Sequence, residues 1–273
     1  MYKDYFRFRE EPFSITPDPR FLYLTAQHRD ALDHLLYGIR QRKGFICLTG
    51  EVGTGKTTLC RALLKQLDPT CHTALILNPV LTQTQLLRAI VEEFGIQADA
   101  CDRLGYLSVL NEFLLKVNSA GRDAVLIIDE AQDMSVAGLE QVRLLSNLET
   151  ESQKLLQIVL VGQPELREKL AQPALRQLAQ RITVRYHLDP LGREDTEAYL
   201  YHRLSVALGD GGEWTVVFDP GAVREIYRYS GGTPRLINAI TDKALLAGYV
   251  HQTGWIDRRL ARIAAAELKG KGS

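Results

Sequence analysis

The chain has 273 residues, 45% hydrophobic and 24% charged, which fits an ordinary globular protein and excludes a disordered or fibrous one. Its 33 basic and 33 acidic side chains cancel, which argues against a dedicated electrostatic nucleic-acid binder and leaves room only for a local basic face. No run approaches the roughly 18 consecutive apolar residues of a spanning helix, and the start, Met1-Tyr2-Lys3-Asp4-Tyr5-Phe6, lacks the basic-then-apolar layout of a signal peptide, so a cytoplasmic location is expected. Residues 1–25 mix Tyr5, Phe6, Phe8, Phe13, Phe21 and Tyr23 with Pro12, Pro17 and Pro19. Prolines forbid a long helix there, and the aromatics predict an extended arm packed on a folded body. Its end, near Phe21–Tyr23 and His28, is a candidate to touch a nucleotide base. A helix then carries Leu32, Leu35, Leu36 and Ile39 on one face, capped by Thr25 or Asp30 and ending near Gly44.

The stretch Gly50-Glu51-Val52-Gly53-Thr54-Gly55-Lys56-Thr57 fits G-x-x-x-x-G-K-[ST], the phosphate-binding loop. Context supports it: Phe45–Thr49 reads as a buried strand, and Thr58–Leu67 has apolar residues at helical spacing. Glycines let successive N–H groups converge on one anion, and the helix adds its positive dipole end. The nucleotide-binding residues are thus Gly50, Glu51, Val52, Gly53, Thr54, Gly55, Lys56, Thr57 and Thr58. Lys56 can reach the β- and γ-phosphates, and the Thr57 hydroxyl can hold Mg²⁺. The bland alternative is a Gly-rich turn with a solvated lysine. Cys47 and Cys60 flank the loop in apolar runs, and with Cys71 and Cys101 they form no C-x-x-C pair. Buried free thiols of a reducing compartment are expected.

Downstream, Thr73–Leu77 reads as a strand closed by Asn78-Pro79, followed by helices over Thr82–Phe94 and Tyr106–Val117. Ala124–Ile128 is β-branched and apolar, as a central parallel strand covered on both faces should be, and it ends in Asp129-Glu130. Asp129 is expected to hold Mg²⁺ mostly through water, and Glu130 to orient and polarise the water that attacks the γ-phosphate. A capping Asp-Glu pair is the alternative. A helix over Ser135–Glu149 leads to a strand over Leu155–Gly162 ending in Gln163, an amide placed to sense the γ-phosphate or to satisfy loop backbone. Short helices over Leu166–Leu170 and Pro173–Ala179 precede an alternating run, Arg181–Leu188, that ends at Asp189-Pro190. Strands alternating with helices imply a parallel sheet with ligand at its C-terminal edge.

From Gly192 onward only helices are expected: Glu194–Ala207, Pro220–Tyr229, Pro234–Val250 and Ile256–Leu268. Gly231-Gly232-Thr233-Pro234-Arg235 opens one of them. Arg235 gains nothing from the dipole at a helix start, so a reach to nucleotide phosphates is its functional reading. The expected division is an arm (1–25), an α/β core with a helix-sandwiched parallel sheet (26–190) and a small all-α lid (191–273). Lys269–Ser273 reads as a frayed end.

With the loop, Leu126–Glu130, Gln163, Arg181 and Gly231–Arg235 in this order, the chain resembles the AAA+ ATPases. More closely it is similar to the ExeA/GspA-type ATPases of general (type II) secretion. That resemblance also covers the opening Met1–Phe6, Pro12–Pro19, Ile128–Gln132 and Val161-Gly162-Gln163-Pro164-Glu165-Leu166. It implies ring-forming subunits with ATP and Mg²⁺ at their interfaces, Gln163 at the sensor 1 position and Arg235 at sensor 2. Arg181 falls at the arginine finger offered to the neighbour's γ-phosphate, with Arg176 in reserve. Typical secretion members continue into a membrane span and a periplasmic peptidoglycan-binding domain. This chain shows neither, so a cytoplasmic fragment or a short paralogue, attached to the inner membrane through a partner or an absent span, is expected.

Three functions follow. The first is a Mg²⁺-dependent oligomeric ATPase that drives assembly of a secretion or pilus apparatus. The second is an ATP-switched DNA-binding regulator resembling the target-selecting ATPases of transposition, against which the balanced charge weighs. The third is a nucleotide-bound scaffold with negligible turnover.

Overall fold

The structure is a computed structural model that describes residues 1–14, 18–99, 102–150, 153–209 and 211–268. Cys101, Pro17 and the end expected to fray lie outside these residues. In chain order the first elements are α1 (Tyr2–Tyr5), α2 (Ala26–Arg40), β1 (Phe45–Gly50), α3 (Lys56–Gln66), β2 (His72–Ile76), α4 (Gln83–Glu93) and α5 (Arg103–Ser119). There follow β3 (Ala124–Ile128), α6 (Val136–Leu145), β4 (Gln157–Gly162), α7 (Glu165–Leu170), α8 (Arg176–Arg181) and β5 (Ile182–Leu188). The last are α9 (Arg193–Leu208), β6 (Val217–Phe218), α10 (Pro220–Ser230), α11 (Pro234–Val250), β7 (Trp255–Ile256) and α12 (Arg258–Leu268). They fall into two compact units, one made of Ala26–Gly50 with Leu59–Leu188, the other of Met1–Thr25, Glu51–Thr58 and the chain from Asp189 onward.

The first unit is a five-stranded sheet in the order β2-β3-β4-β1-β5, parallel throughout. Every residue of β1, β3 and β4 is buried, which is why their sequences are unbroken apolar runs: a parallel strand with helices on both faces has no solvent side. Gly38 shows how closely one helix descends. A Cβ there would lie 2.7 Å from Ile46 Cδ1, so the missing side chain lets α2 rest on β1. The helices begin where short polar side chains satisfy their free N–H groups. Thr82 accepts from Gln85 N–H in a reciprocal capping box, Asp102 from Gly105 and Ser135 from Gly138. The helix expected over Ser135–Glu149 stops at Leu145. There Ser146 Oγ donates to the Arg143 carbonyl, the local side-chain bonding by which serine competes with a continuing helix.

Cys47 and Cys60 are buried free thiols and Cys71 is half-buried. Burial pushes the Cys47 thiol up to about 11, so it stays protonated and unreactive at neutral pH.

In the second unit the N-terminal aromatics are core. Phe6, Phe8, Phe13 and Phe21 share one cluster with Leu200, Leu204, Ile226, Ile237 and Leu245. Arg203 of α9 fixes the segment. Its guanidinium donates to the carbonyls of Pro12 (2.5 Å) and Ser14 (3.1 Å) and lies 4.6 Å over the Phe21 ring. This corrects the base-contact reading of the arm's end: Phe21 is buried, and Tyr23 packs on Tyr199 and His202. His28 is itself buried, in the first unit. The unit is helical, as expected, with one addition. Val217 and Phe218 of β6 pair in parallel with Trp255 and Ile256 of β7. Gly254 permits the approach, since a Cβ there would sit 2.0 Å from the Thr215 carbonyl oxygen. Among the described residues no helix is long and apolar enough to cross a membrane.

Candidate nucleotide-binding site

The phosphate loop continues directly from β1. Gly53 (φ +79°) and Gly55 (φ +100°) take left-handed backbone, a region that only glycine enters cheaply. Thr54 closes the turn, donating from both its N–H (3.3 Å) and its hydroxyl (2.8 Å) to the Glu51 carbonyl. Lys56 is buried, and its Nζ donates to that same carbonyl at 2.9 Å. A buried ammonium is costly without acceptors, so this residue is fixed over the turn as a charge that an anion would complement. Thr57 and Thr58, half-buried, continue into α3; Glu51 and Val52 are exposed.

Gly53 also abuts the start of α11. A Cβ on it would come within 2.7 Å of Arg235 Cβ and 3.2 Å of Thr233 Cγ2. Arg235 itself is exposed. The turn that opens α11 thus lies against the loop within this unit, and α11 has Pro234 in its first turn. Gly53→Ala is expected to combine a strained φ, worth about 1–2 kcal/mol, with a clash against helix start. A fall in nucleotide affinity of at least tenfold, with a lowered melting temperature, is the outcome to look for in ligand titration and thermal unfolding.

In the sheet unit, register brings the remaining candidates to one edge. Leu160 of β4 pairs with Ile128 of β3 on one side and Cys47 of β1 on the other, and Gly162 pairs with Thr49. Asp129 and Gln163 therefore leave the sheet at the edge from which β1 runs into the loop. Asp129 is buried; its N–H donates to the Ile76 carbonyl and its Oδ1 accepts from Glu130 N–H, both at 2.9 Å. Glu130 adopts φ +50°, ψ +37°, left-handed backbone that stores strain in a non-glycine residue and that clusters at functional sites. Its Oε2 accepts from Gln132 Nε2 (2.8 Å) and Gln163 Nε2 (3.2 Å), while Gln132 Oε1 accepts from Gln163 N–H (3.0 Å).

Arg181 closes α8 rather than opening the strand. Its Nη1 donates to Ser146 Oγ (2.5 Å) and Asn147 Oδ1 (2.7 Å) of the same chain. Arg176 begins the same helix and is exposed. Sequence reasoning did not assign Gln132 a role. The residue stands two positions after Glu130, between the buried Ala131 and the exposed Asp133, but nothing local says that its amide spans two strands.

A family model described as AAA domain matches residues 39–170. The chain is 48% identical over 271 residues to general secretion pathway protein A of Aeromonas hydrophila, across 99% of this chain and 49% of the relative; it spans about half the length of that curated protein. Among solved structures, the ORC2 protein of Aeropyrum pernix in its ADP form superimposes with a TM-score of 0.71 at 17% identity, covering 95% of this chain and 73% of that one. Cdc6p of Pyrobaculum aerophilum gives 0.66 at 18%, over 90% and 67%. At such identities these two show the fold alone. Residues 39–170 thus carry an AAA domain, and the chain is ExeA/GspA-like.

Proposed function

We propose that the chain is a Mg²⁺-dependent ATPase that works as a homo-oligomeric ring and drives assembly of a secretion or pilus apparatus. One observation carries the catalytic part. Two motifs far apart in sequence, the loop after β1 and the acid pair after β3, leave parallel strands at the same edge, with Gln163 on the strand between them. The name of the Aeromonas relative supports the secretion part.

The loop from Gly50 to Thr58 cradles the phosphates with its N–H groups, and Lys56 neutralises their charge. Glu130 accepts the proton of the attacking water, and Gln163 reports the γ-phosphate. Arg235, from the α11 start that abuts Gly53, adds charge, and a neighbouring subunit offers Arg181, with Arg176 as its alternate. The residues fit Mg²⁺: the Asp129 carboxylate and the Thr57 hydroxyl are hard oxygen donors. Among the described residues no group of three acidic, histidine or cysteine side chains could hold a metal ion. When bound, the ion neutralises charge building on the phosphate oxygens. On this reading residues 26–190 form the ATPase core, 1–25 the arm and 191–273 the lid.

ATP turnover by the purified chain, abolished by EDTA and restored by Mg²⁺, tests the activity; absence of nucleotide binding at millimolar concentration would overturn it. Mixing tests the finger. Arg181→Ala subunits keep their own Lys56 and Glu130, and Lys56→Ala subunits keep Arg181. A mixed ring is therefore expected to regain turnover that neither variant shows alone, and Arg176→Ala in place of Arg181→Ala decides between the two arginines. Zero net charge weighs against the DNA-binding alternative, and the likeness to the ORC2 and Cdc6p structures is one of fold.

A further inference from the structure

One side chain that the catalytic scheme leaves without a task, Gln132, donates to Glu130. Gln132 is buried in the short 3₁₀ turn Ala131–Asp133 that follows the acid pair. Its amide faces both ways: Nε2 donates to Glu130 Oε2 at 2.8 Å, and Oε1 accepts the Gln163 backbone N–H at 3.0 Å. Gly162 makes room for it, since a Cβ there would stand 2.8 Å from Gln132 Oε1. Lys169 of α7 fixes the turn from outside, donating from Nζ to the carbonyls of Gln132 and, at 2.8 Å, Met134. The Gln132 amide thereby bonds through both its nitrogen and its oxygen, and the Glu130 carboxylate is set by the end of β4 as well as by β3.

We propose that Gln132 is a positioning residue that couples the Glu130 carboxylate to the Gln163 end of β4, so that displacement of Gln163 by a bound γ-phosphate reorients the base. The coupling rests on the role given to Glu130 above. It follows from geometry. One Glu130 oxygen receives two amide donors, one from Gln132 and one from Gln163, and Gln132 also grips the Gln163 backbone. A shift of Gln163 cannot leave Gln132 unmoved, and neither can move without changing the hydrogen bonds to Glu130. A hydrogen bond to a charged group contributes more than a neutral one, and leaving one partner unsatisfied costs more still. The arrangement also explains a glycine and a lysine that phosphate chemistry does not require, Gly162 and Lys169.

Two substitutions and one cycle test it. Gln132→Met keeps size and removes both hydrogen bonds. Gln132→Glu keeps an acceptor for the Gln163 N–H but sets a second carboxylate against Glu130. Both are expected to lower kcat for ATP by about 10- to 100-fold, with KM and nucleotide Kd within about threefold of wild type. If only Gln132→Met is impaired, Gln132 serves the backbone alone and the coupling is overturned. In a Glu130→Gln background, measured by single turnover, Gln132→Met is expected to have no further effect on the residual rate, because a residue acting through Glu130 has nothing left to act on. An equal loss in both backgrounds would mean a merely structural role. Failure of this inference is distinct from failure of the function itself. Wild-type turnover by Glu130→Gln removes the base, whereas an inactive Glu130→Gln beside fully active Gln132 variants removes only the coupling.

Discussion

Lys56→Ala is expected to weaken ATP binding by on the order of 100-fold, the cost of removing one member of a buried charged pair. The argument rests on burial. Lys56 is only 6% exposed, and its Nζ sits 2.9 Å from the Glu51 carbonyl, so water cannot enter to screen the missing charge as it would at the surface. Backbone N–H groups remain to hold an anion, which is why residual binding is expected rather than none. Lys56→Arg is a poor substitute, because a planar fork replaces a compact ammonium at a buried position. Titration with a fluorescent ATP analogue, beside a circular dichroism check of folding, reads the effect. An affinity within threefold of wild type would remove Lys56 from the site.

Glu130→Gln is expected to leave nucleotide affinity near wild type and to lower turnover by about 10²–10⁴-fold, the range of a lost general base. The substitution changes charge and basicity with almost no change in shape. A glutamine at 130 still presents an acceptor to the amides of Gln132 and Gln163, which now meet Oε2 at 2.8 and 3.2 Å, so the strained turn at φ +50° need not relax. The variant should therefore bind ATP and hold it, a state that single-turnover kinetics and co-purified nucleotide would reveal. Taken together, the two variants separate grip from hydrolysis. Loss of both functions in Glu130→Gln would mean that this residue supports the fold of the edge instead.

Much of this site is legible in the one-dimensional chain because its determinants are local. The spacing from Gly50 to Thr57 encodes a backbone turn, and the apolar run Ala124–Ile128 encodes a strand with no wet face. The βα alternation encodes parallel crossovers, which put every strand's C-terminal end on one side. Helix starts at Gln83 and Val136 follow from the preceding Thr82 and Ser135, whereas the helix expected from Tyr106 begins at Arg103, one turn earlier, capped by Asp102. All of these signals act within a few residues of each other, where steric and capping preferences suffice.

Other features depend on which strand lies beside which, and residue spacing does not carry that. The order β2-β3-β4-β1-β5 places β4 between the loop's strand and the acids' strand, and only then can Gln132 reach Gln163, 31 residues away, and bridge it to Glu130. The N-terminal phenylalanines join the core of α9–α12 because Arg203 can satisfy the Pro12 and Ser14 carbonyls that proline-rich backbone leaves unpaired. The sequence by itself thus determined the turns, the buried strands and the chemical groups on offer, through forces that act along the chain. Only the tertiary structure decided which of those groups meet, because hydrogen bonds between residues distant in sequence form only after register and packing have brought them within about 3 Å.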